Sequence, residues 1–427
     1  MVSLLALAAC APGSEHADPG TATRSPATAP AQTGTSLTNV YTAWSNGPDP
    51  SGSPGYFPIG VWEQDAARQE GGRDNALNYE ALGINVDVAG YESRPGTMAE
   101  DNWTAWGSIR GTGSNGLAPA YTLFADDHTA NFVYDEPDMN EVDGTLNNQL
   151  TSQSFLSEAD AVRKADPTRP IYSNFGKCFS VPGWNGCHTD NQSPRPSYRQ
   201  LLAQYCQSAD IMSADYYGYA SAGNPDDGGD LSNYYGAWSY GQAVAFEKST
   251  CGSTKPVLGF VETGHPLAGG TTITPAQTEA AVWDEIMHGA NGVIYFVHDF
   301  YNTGFTEDGL LTTQAAAKPT VAAVDAELHA LAPWLNTASQ PGVTVTSTGG
   351  VPVTTMMKTS GGHRYLFAMA DGNARMPVSG ATTATFTLAS PGSGHSRVYG
   401  ESRTFDASSG RITDQFGAYQ LHVYELS

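Results

Sequence analysis

After its first ten residues the chain has no apolar run of about 20 residues, so it offers no candidate transmembrane helix. Basic residues are scarce: Lys and Arg number 20 against 43 Asp and Glu, a formal net charge of -23. A surface of that sign repels phosphate backbones and anionic headgroups, which excludes nucleic acid as a partner. Cysteines number only 5, no Cys-x-x-Cys or His-x-His pair occurs, and the 10 His are scattered. A zinc or amidohydrolase-type metal centre therefore has no ligand set to start from, and no metal or cofactor is expected. Charged residues are few as well, at 15%, but 40% hydrophobic and 10% aromatic content fill a large core, which excludes disorder for the chain as a whole.

What is present begins with MVSLLALAAC, an apolar stretch ending in Leu7-Ala8-Ala9-Cys10 and followed by a Ser/Thr/Pro/Ala/Gly-rich segment to about Ser36. It resembles a bacterial lipoprotein signal, although the usual basic start is missing. The resemblance implies residues 1–10 as signal, lipid on the Cys10 thiol, residues 11–38 as a flexible tether, and a cell-surface protein that meets the membrane only through that lipid. Setting Cys10 aside leaves Cys178, Cys187, Cys206 and Cys251, an even set suited to two disulfides in an oxidising compartment. Local pairing is expected, Cys178 with Cys187 and Cys206 with Cys251.

A chain of 427 residues suits a barrel of ~250 residues with a smaller partner domain. Short apolar, β-rich runs alternate with longer helical or loop stretches at 56–61, 84–89, 117–123, 131–134, 170–173, 211–215, 257–261 and 293–297. Eight such units predict an α/β fold, a closed (β/α)8 barrel over 39–333. From 334 to 427 the pattern turns to Thr/Val/Gly-rich alternation, at 343–346, 365–369, 384–388 and 419–426, which predicts a small antiparallel β-sandwich. The sandwich reads first as a structural lid and second as a binding module. A monomer is expected.

In a parallel barrel the active site lies at the C-terminal ends of the strands, so an acid directly after a strand is informative. Glu136 closes the fourth run in Asn131-Phe132-Val133-Tyr134-Asp135-Glu136-Pro137-Asp138, and Glu262 closes the seventh in Val257-Leu258-Gly259-Phe260-Val261-Glu262-Thr263-Gly264. This placement resembles the retaining barrel glycosidases of clan A, over the barrel's two thirds or so of the chain. It is similar to secreted bacterial barrels with an Asp-Glu-Pro-Asp motif after strand four and a C-terminal sandwich. The resemblance implies a carbohydrate substrate, Glu136 as acid/base and Glu262 as nucleophile. Glycosidic cleavage needs a proton for the leaving oxygen and negative charge against the oxocarbenium ion, and two carboxyls of different pKa supply both. One departure stands out: Asp135 occupies the place where the family has Asn against the sugar 2-hydroxyl.

The other strand ends carry Trp62, Glu63 and Asp65, then Tyr91 and Glu92, Asn174, Asp215, Tyr216 and Tyr217, and finally His298 and Asp299. Alternation turns only about half of them inward. In similar barrels a strand-six aromatic hydroxyl holds the nucleophile, the role implied for Tyr216 or Tyr217. His298 reads equally as a core histidine, and Trp184 in the 178–187 loop as a sugar platform or a packed aromatic. Glu136 has a plain alternative as a helix N-terminal acid, and Glu262 as a solvated loop acid. Two rival functions remain, a cell-surface carbohydrate-binding protein without catalysis and a metal-dependent barrel hydrolase, the latter lacking a ligand cluster. Galactan, arabinan, mannan and glucan, and endo or exo cleavage, stay open, because loop shape decides them.

Overall fold

The computed structural model describes residues 40–94, 96–101, 103–108, 128–139, 141–142, 145–146, 152–181, 197–220, 236–266, 271–300, 304–372, 380–391 and 394–426. Cys10 with its signal and tether, the run at 117–123, Trp184 and Cys187 lie outside them. Eight parallel strands close a barrel: β1 (Ile59–Trp62), β2 (Val86–Val88), β3 (Thr104–Ser108), β4 (His128–Asp135), β5 (Ile171–Phe175), β6 (Ile211–Ala214), β7 (Val257–Glu262) and β8 (Val293–Phe296). Closure is made by β1, which pairs with β2 through Gly60↔Val86 and with β8 through Ile59↔Val293. The third strand of the barrel is Thr104–Ser108, a segment outside the eight apolar runs. Thr-Ala-Trp-Gly-Ser has one large apolar residue, Trp106, which leaves little alternation to read.

The lumen is packed with aromatic and aliphatic side chains, among them Trp62, Val88, Trp106, Phe132, Tyr172, Phe260 and Phe296. Trp62 stands edge-on to Phe132 at 5.5 Å and to Phe260 at 5.4 Å. Room for these rings comes partly from Gly60, where a Cβ would lie 2.9 Å from Val88. Opposite alternation along the same strands supplies the outer layer, with Ile59, Val61, Ile171, Val257, Val261 and Val293 packed under the helices.

Those helices are α1 (Asn75–Glu80), α2 (Ser152–Ala165), α3 (Tyr198–Ser208), α4 (Ala237–Cys251), α5 (Pro275–Met287) and α6 (Lys318–Leu335). Capping boxes start two of them: Ser197 with Gln200 begins α3, and Thr274 with Gln277 begins α5, where Pro275 fills the first position. A Cys206–Cys251 disulfide ties α3 to α4 across a separation of 45 residues. In the chain-entropy account a loop of that length contributes about 4 kcal/mol. Cys178 is also disulfide-bonded.

Beyond α6 the chain forms a sandwich of two antiparallel sheets. One is ordered β9 (Val343–Ser347), β12 (Thr382–Leu388), β15 (Arg411–Phe416). The other runs β10 (Thr354–Ser360), β11 (His363–Met369), β16 (Leu421–Leu426), β13 (His395–Val398), β14 (Thr404–Asp406). The sequence pattern reveals β9, β11, β12 and β16; it misses the Thr/Met-rich β10 and the polar β13, β14 and β15.

The sandwich docks on α5 and α6. Trp334 stacks on Tyr365 with centroids 3.8 Å apart and Trp283 faces Phe367 at 6.2 Å. Lys358 of β10 donates to the carbonyls of Leu335 at 3.0 Å and Thr337 at 2.7 Å, closing the end of α6. Asp284 of α5 and Asp371 of the sandwich, both buried, hydrogen-bond carboxyl to carboxyl across this interface. Asp284 also accepts from the Gly241 N–H at 2.9 Å, and Asp371 from the Thr354 N–H at 3.2 Å.

Burial pushes Asp284 up to about 7, while burial and then the Asp284 charge push Asp371 up to about 9. Folded-state values above the unfolded ones mean the folded protein holds protons that the unfolded chain releases, so stability declines as pH climbs from about 4 to 9. Asp371→Asn removes one of the two ionisations. Its melting temperature relative to the parent is expected to rise steadily from pH 4 to pH 9, reaching a gain of about 2 °C or more. Parallel curves in differential scanning calorimetry across that range would refute the shared proton.

Candidate active site

The mouth of the barrel is shaped first by backbone. Glu63, Ala89 and Glu136, each just past the C-terminal end of a strand, take positive φ of 45°, 59° and 42°. Left-handed backbone in a residue with a side chain costs on the order of 1–3 kcal/mol and persists only where neighbours enforce it. Here each residue's N–H is bonded to the adjoining strand, Glu63 to the Val88 carbonyl, Ala89 to Trp106 and Glu136 to Asn174, at 2.8, 2.9 and 3.0 Å.

A register shift adds to this. Phe132 pairs with Tyr172 but Asp135 pairs with Asn174, so β4 spends three steps where β5 spends two. Simple alternation from the lumen residue Phe132 would turn Asp135 outward, and the bulge brings it back to the face of Tyr172 and Asn174. There a chain of hydrogen bonds fixes it. Tyr172 OH contacts Ser213 Oγ at 2.7 Å, Ser213 donates to Asn174 Oδ1 at 2.6 Å, and Asn174 Nδ2 donates to Asp135 Oδ1 at 2.8 Å.

The next carboxyl, Glu136, is half-buried and hydrogen-bonded to Asp215 at the end of β6. Asp215 receives the Tyr217 hydroxyl on Oδ2 at 3.0 Å, and its buried Oδ1 has no donor. Three carboxyls in one mouth cannot all ionise. Burial, then the charges of Asp215 and Asp135, hold Glu136 well above the usual carboxylate range. Burial and the Asp215 charge do the same to Asp135, which is exposed at the mouth but crowded by protein around it. Asp215 is raised by burial and pulled back by its contacts with Glu136, Tyr217 and Asn174. Lys177, whose pKa burial lowers, lies close enough for the charges of Glu136 and Asp215 to oppose that shift. Beneath them Asp138 accepts the N–H groups of Gly176 at 2.8 Å and Cys178 at 3.2 Å, seating the short helix Lys177–Ser180; burial still pushes it up to about 7.

Glu262 has a separate set of partners. Its side chain is fully buried, with Oε2 receiving the Tyr240 hydroxyl at 2.7 Å and Oε1 the Ala220 N–H at 3.2 Å. Burial pushes it up to about 7, and the Tyr240 hydroxyl pulls the other way. The segment 216–220 lies over it. Tyr217, one of the two residues implied for holding this acid, donates instead to Asp215, and the hydroxyl on Glu262 comes from α4. Tyr216 is buried against Tyr240, rings 6.2 Å apart.

The structure thus gathers Glu63, Asp135, Glu136, Asn174, Asp215 and Tyr217, with Glu63 near enough to raise Asp135 by its charge. Trp62 is floor, 3% exposed beneath the mouth. His298 is buried, its Nε2 3.4 Å from the Glu63 carbonyl, and burial lowers it to about 4, so it stands as neutral imidazole. Tyr91 sits on the rim, donating to Glu307 Oε2 at 3.0 Å. Asp65 accepts from the Ala67 and Ser93 N–H groups, Glu92 from Gly96 and Met98, and Asp299 from Thr313 and Gln314, all three as loop braces.

Sequence reasoning misses Tyr240, Lys177, and the exposed rim rings Phe300 and Phe305, which lie 5.3 Å apart. Lys177 carries a weak signal, since it follows strand five. Tyr240 carries none, because a buried tyrosine in the first turn of a helix is ordinarily core. Among the described residues no group of three His, Cys, Asp or Glu is arranged to hold a metal.

No family model and no curated protein matches the chain. Solved structures of similar architecture include a GH30 endoxylanase from Clostridium papyrosolvens C71, at 13% identity over 87% of this chain and 96% of that one, TM-score 0.43. Others are the noncanonic maltogenic α-amylase AmyB from Thermotoga neapolitana, at 9%, 86% and 98% with TM-score 0.48, and the family 51 α-L-arabinofuranosidase AbfB from Bifidobacterium longum, at 11%, 88% and 96% with TM-score 0.45. The chemistry of this chain is read from its own mouth.

Asp215→Asn removes a charge that raises Glu136. Carboxyl-carbon NMR titration of Glu136 is expected to show its midpoint falling by about one unit or more, the size of one close charge interaction. An unmoved midpoint would separate the two carboxyls.

Proposed function

We propose that the protein is a retaining glycoside hydrolase acting on a poly- or oligosaccharide, with Glu136 as acid/base and Glu262 as nucleophile. The observation that carries this reading is Glu136 itself: a carboxyl at the C-terminal mouth of a closed barrel, on strained backbone and beside like charges that, with burial, hold it well above the usual carboxylate range. Stability alone favours none of those features.

In the proposed reaction Glu136 gives its proton to the glycosidic oxygen as the bond from that oxygen to the anomeric carbon breaks, and a Glu262 oxygen bonds the same carbon. Glu136, now a carboxylate, takes a proton from water, whose oxygen displaces Glu262 from the anomeric carbon. Glu262 must shed its proton first, and the segment 216–220 must move aside for sugar to reach it. The rings of Tyr91, Phe300 and Phe305 give the rim apolar faces for sugar. The lipoprotein-like start ending at Cys10 supports action at the cell surface.

One observation favours a second reading, a barrel that binds carbohydrate without cleaving it: Glu262 has no exposed surface and both its oxygens are engaged. A polysaccharide and chromogenic glycoside panel separates the two. Under the first reading Glu262→Gln loses about 10³-fold or more in kcat on activated and natural substrates alike, Glu136→Gln loses that much in kcat/KM on natural substrates but far less on activated ones whose leaving group needs no proton, and NMR finds the product anomer retained. A chain inert on every glycan but still binding one fits the second.

The pH dependence follows from the two acids. Because kcat/KM reports the free enzyme, its rise should centre near pH 7, where Glu262 ionises, and its fall should follow loss of the Glu136 proton. Tyr240→Phe deletes a hydrogen bond that favours the Glu262 carboxylate, so the acid limb should move up by about one pH unit. A limb that stays in place excludes Glu262 from it.

A further inference from the structure

The sandwich has a cavity of its own, about 580 Å³, lined by Thr383 of β12, Asp414 and Gln415 of β15, His422 of β16, and Arg403 and Gln420 from turns. Along β15 the inward positions are Ile412, Asp414 and Phe416, and along β16 His422 shares the face of the core residues Tyr424 and Leu426. At this end of the sandwich the inner face therefore changes from apolar to ionic. Arg403 Nη1 donates to both oxygens of Asp414, at 2.7 and 2.8 Å, and Tyr424 donates to Asp414 Oδ2 at 2.8 Å. His422 Nδ1 lies 2.9 Å from the same oxygen, and Arg403 Nε pairs with Glu401.

A small sandwich does not need such a cluster to stand. Withdrawing charges from water costs several kcal/mol per ion, and apolar residues of equal volume stabilise as well or better. The cluster instead gives the cavity a rigid polar wall, with the Arg403 guanidinium fixed in plane. Its volume falls in the ~300–1,000 Å³ range of small-molecule clefts.

We propose that this cavity is a second, non-catalytic saccharide site, an assignment that rests on the carbohydrate reading for the choice of ligand class. Glu401 and Asp414 against the one guanidinium leave it without the excess positive charge an anion requires, and the net charge of -23 repels polyanions at longer range. Asp414 is taken up within the wall, and neutral vicinal hydroxyls, which both donate and accept, suit the side-chain amides that line the cavity beside it. Gln420 Oε1 is taken by the Gly417 N–H at 2.9 Å, which leaves its NH2 as a donor, and Gln415 adds a second amide.

The test uses the full chain carrying Glu136→Gln and Glu262→Gln, titrated calorimetrically with xylo-, arabino-, malto- and galacto-oligosaccharides of four to six units. Adding Gln415→Ala with Gln420→Ala should weaken one binding event at least tenfold, and Thr383→Arg, which fills the cavity, should remove one site from the stoichiometry. Melting curves verify folding, and in the wild-type background neither change should alter hydrolysis of a small chromogenic glycoside. Undiminished binding by both variants, or no oligosaccharide bound by the parent, overturns the proposal. A wild-type chain that cleaves no glycan while the cavity variants still lose ligand defeats the barrel reading and leaves this site standing; cleavage with unchanged cavity-variant binding does the reverse.

Discussion

The crowding of three carboxyls, Asp135, Glu136 and Asp215, in one partly buried space sets the state of the whole barrel mouth, and burial raises all three above the usual carboxylate range. Fully ionised, they would place three negative charges there, and the donors present, Asn174 on Asp135 and Tyr217 on Asp215, satisfy only two of them. Contacts with Glu136 and Tyr217 pull Asp215 back toward its ordinary value, whereas the strongest influences on Glu136 after burial are carboxylates that raise it further. Burial and crowding of like charges thus raise Asp135 and Glu136 together, and a raised carboxyl at the mouth is what proton donation near neutral pH demands.

The scaffold pays for that arrangement with backbone made rigid by closure. Each left-handed residue at the rim keeps its N–H on the next strand, so a ring without edges enforces conformations that an open sheet would relax. Below the rim, the lumen of Trp62, Trp106, Phe132, Tyr172 and Phe260 is a packed floor that keeps water from the carboxyls on one side. Outside, the Cys206–Cys251 bridge, the capped starts of α3 and α5, and the Trp334–Tyr365 stack hold the helices and sandwich to that ring.

How much of this was legible depended on whether a local pattern carried the information. Strands two, four, seven and eight announce themselves as apolar runs, and the position of Glu136 and Glu262 after the fourth and seventh follows from counting. Strand three, with Trp106 as its one large apolar residue, does not. The inward turn of Asp135 was hidden because it comes from a bulge that reverses the parity expected from Phe132. The hydroxyl on Glu262 was hidden because Tyr240 approaches from a helix, 22 residues away in sequence. Asp65, Glu92 and Asp299 look like site residues since they follow strands, yet Asp65 and Glu92 are taken up by backbone N–H groups of their own loops and Asp299 by the side chains of Thr313 and Gln314, a use that residue type alone does not distinguish from catalysis.

The two acids of the proposed reaction meet through one stretch of chain. Residue 215 contacts Glu136, Tyr217 holds Asp215, and the Ala220 N–H is bonded to Glu262, so the six residues after β6 touch both carboxyls. Uncovering Glu262 for a sugar means displacing this stretch. That motion breaks the Ala220 bond, which favours the Glu262 carboxylate, but it also admits solvent or substrate to a group whose charge is opposed mainly by burial, and the second effect is the larger. Moved far enough to carry Asp215 along, it would remove a charge that raises Glu136. A productive opening must therefore pivot beyond Tyr217, freeing Ala220 while the Tyr217–Asp215 bond holds, and Gly218 lies between those two anchors.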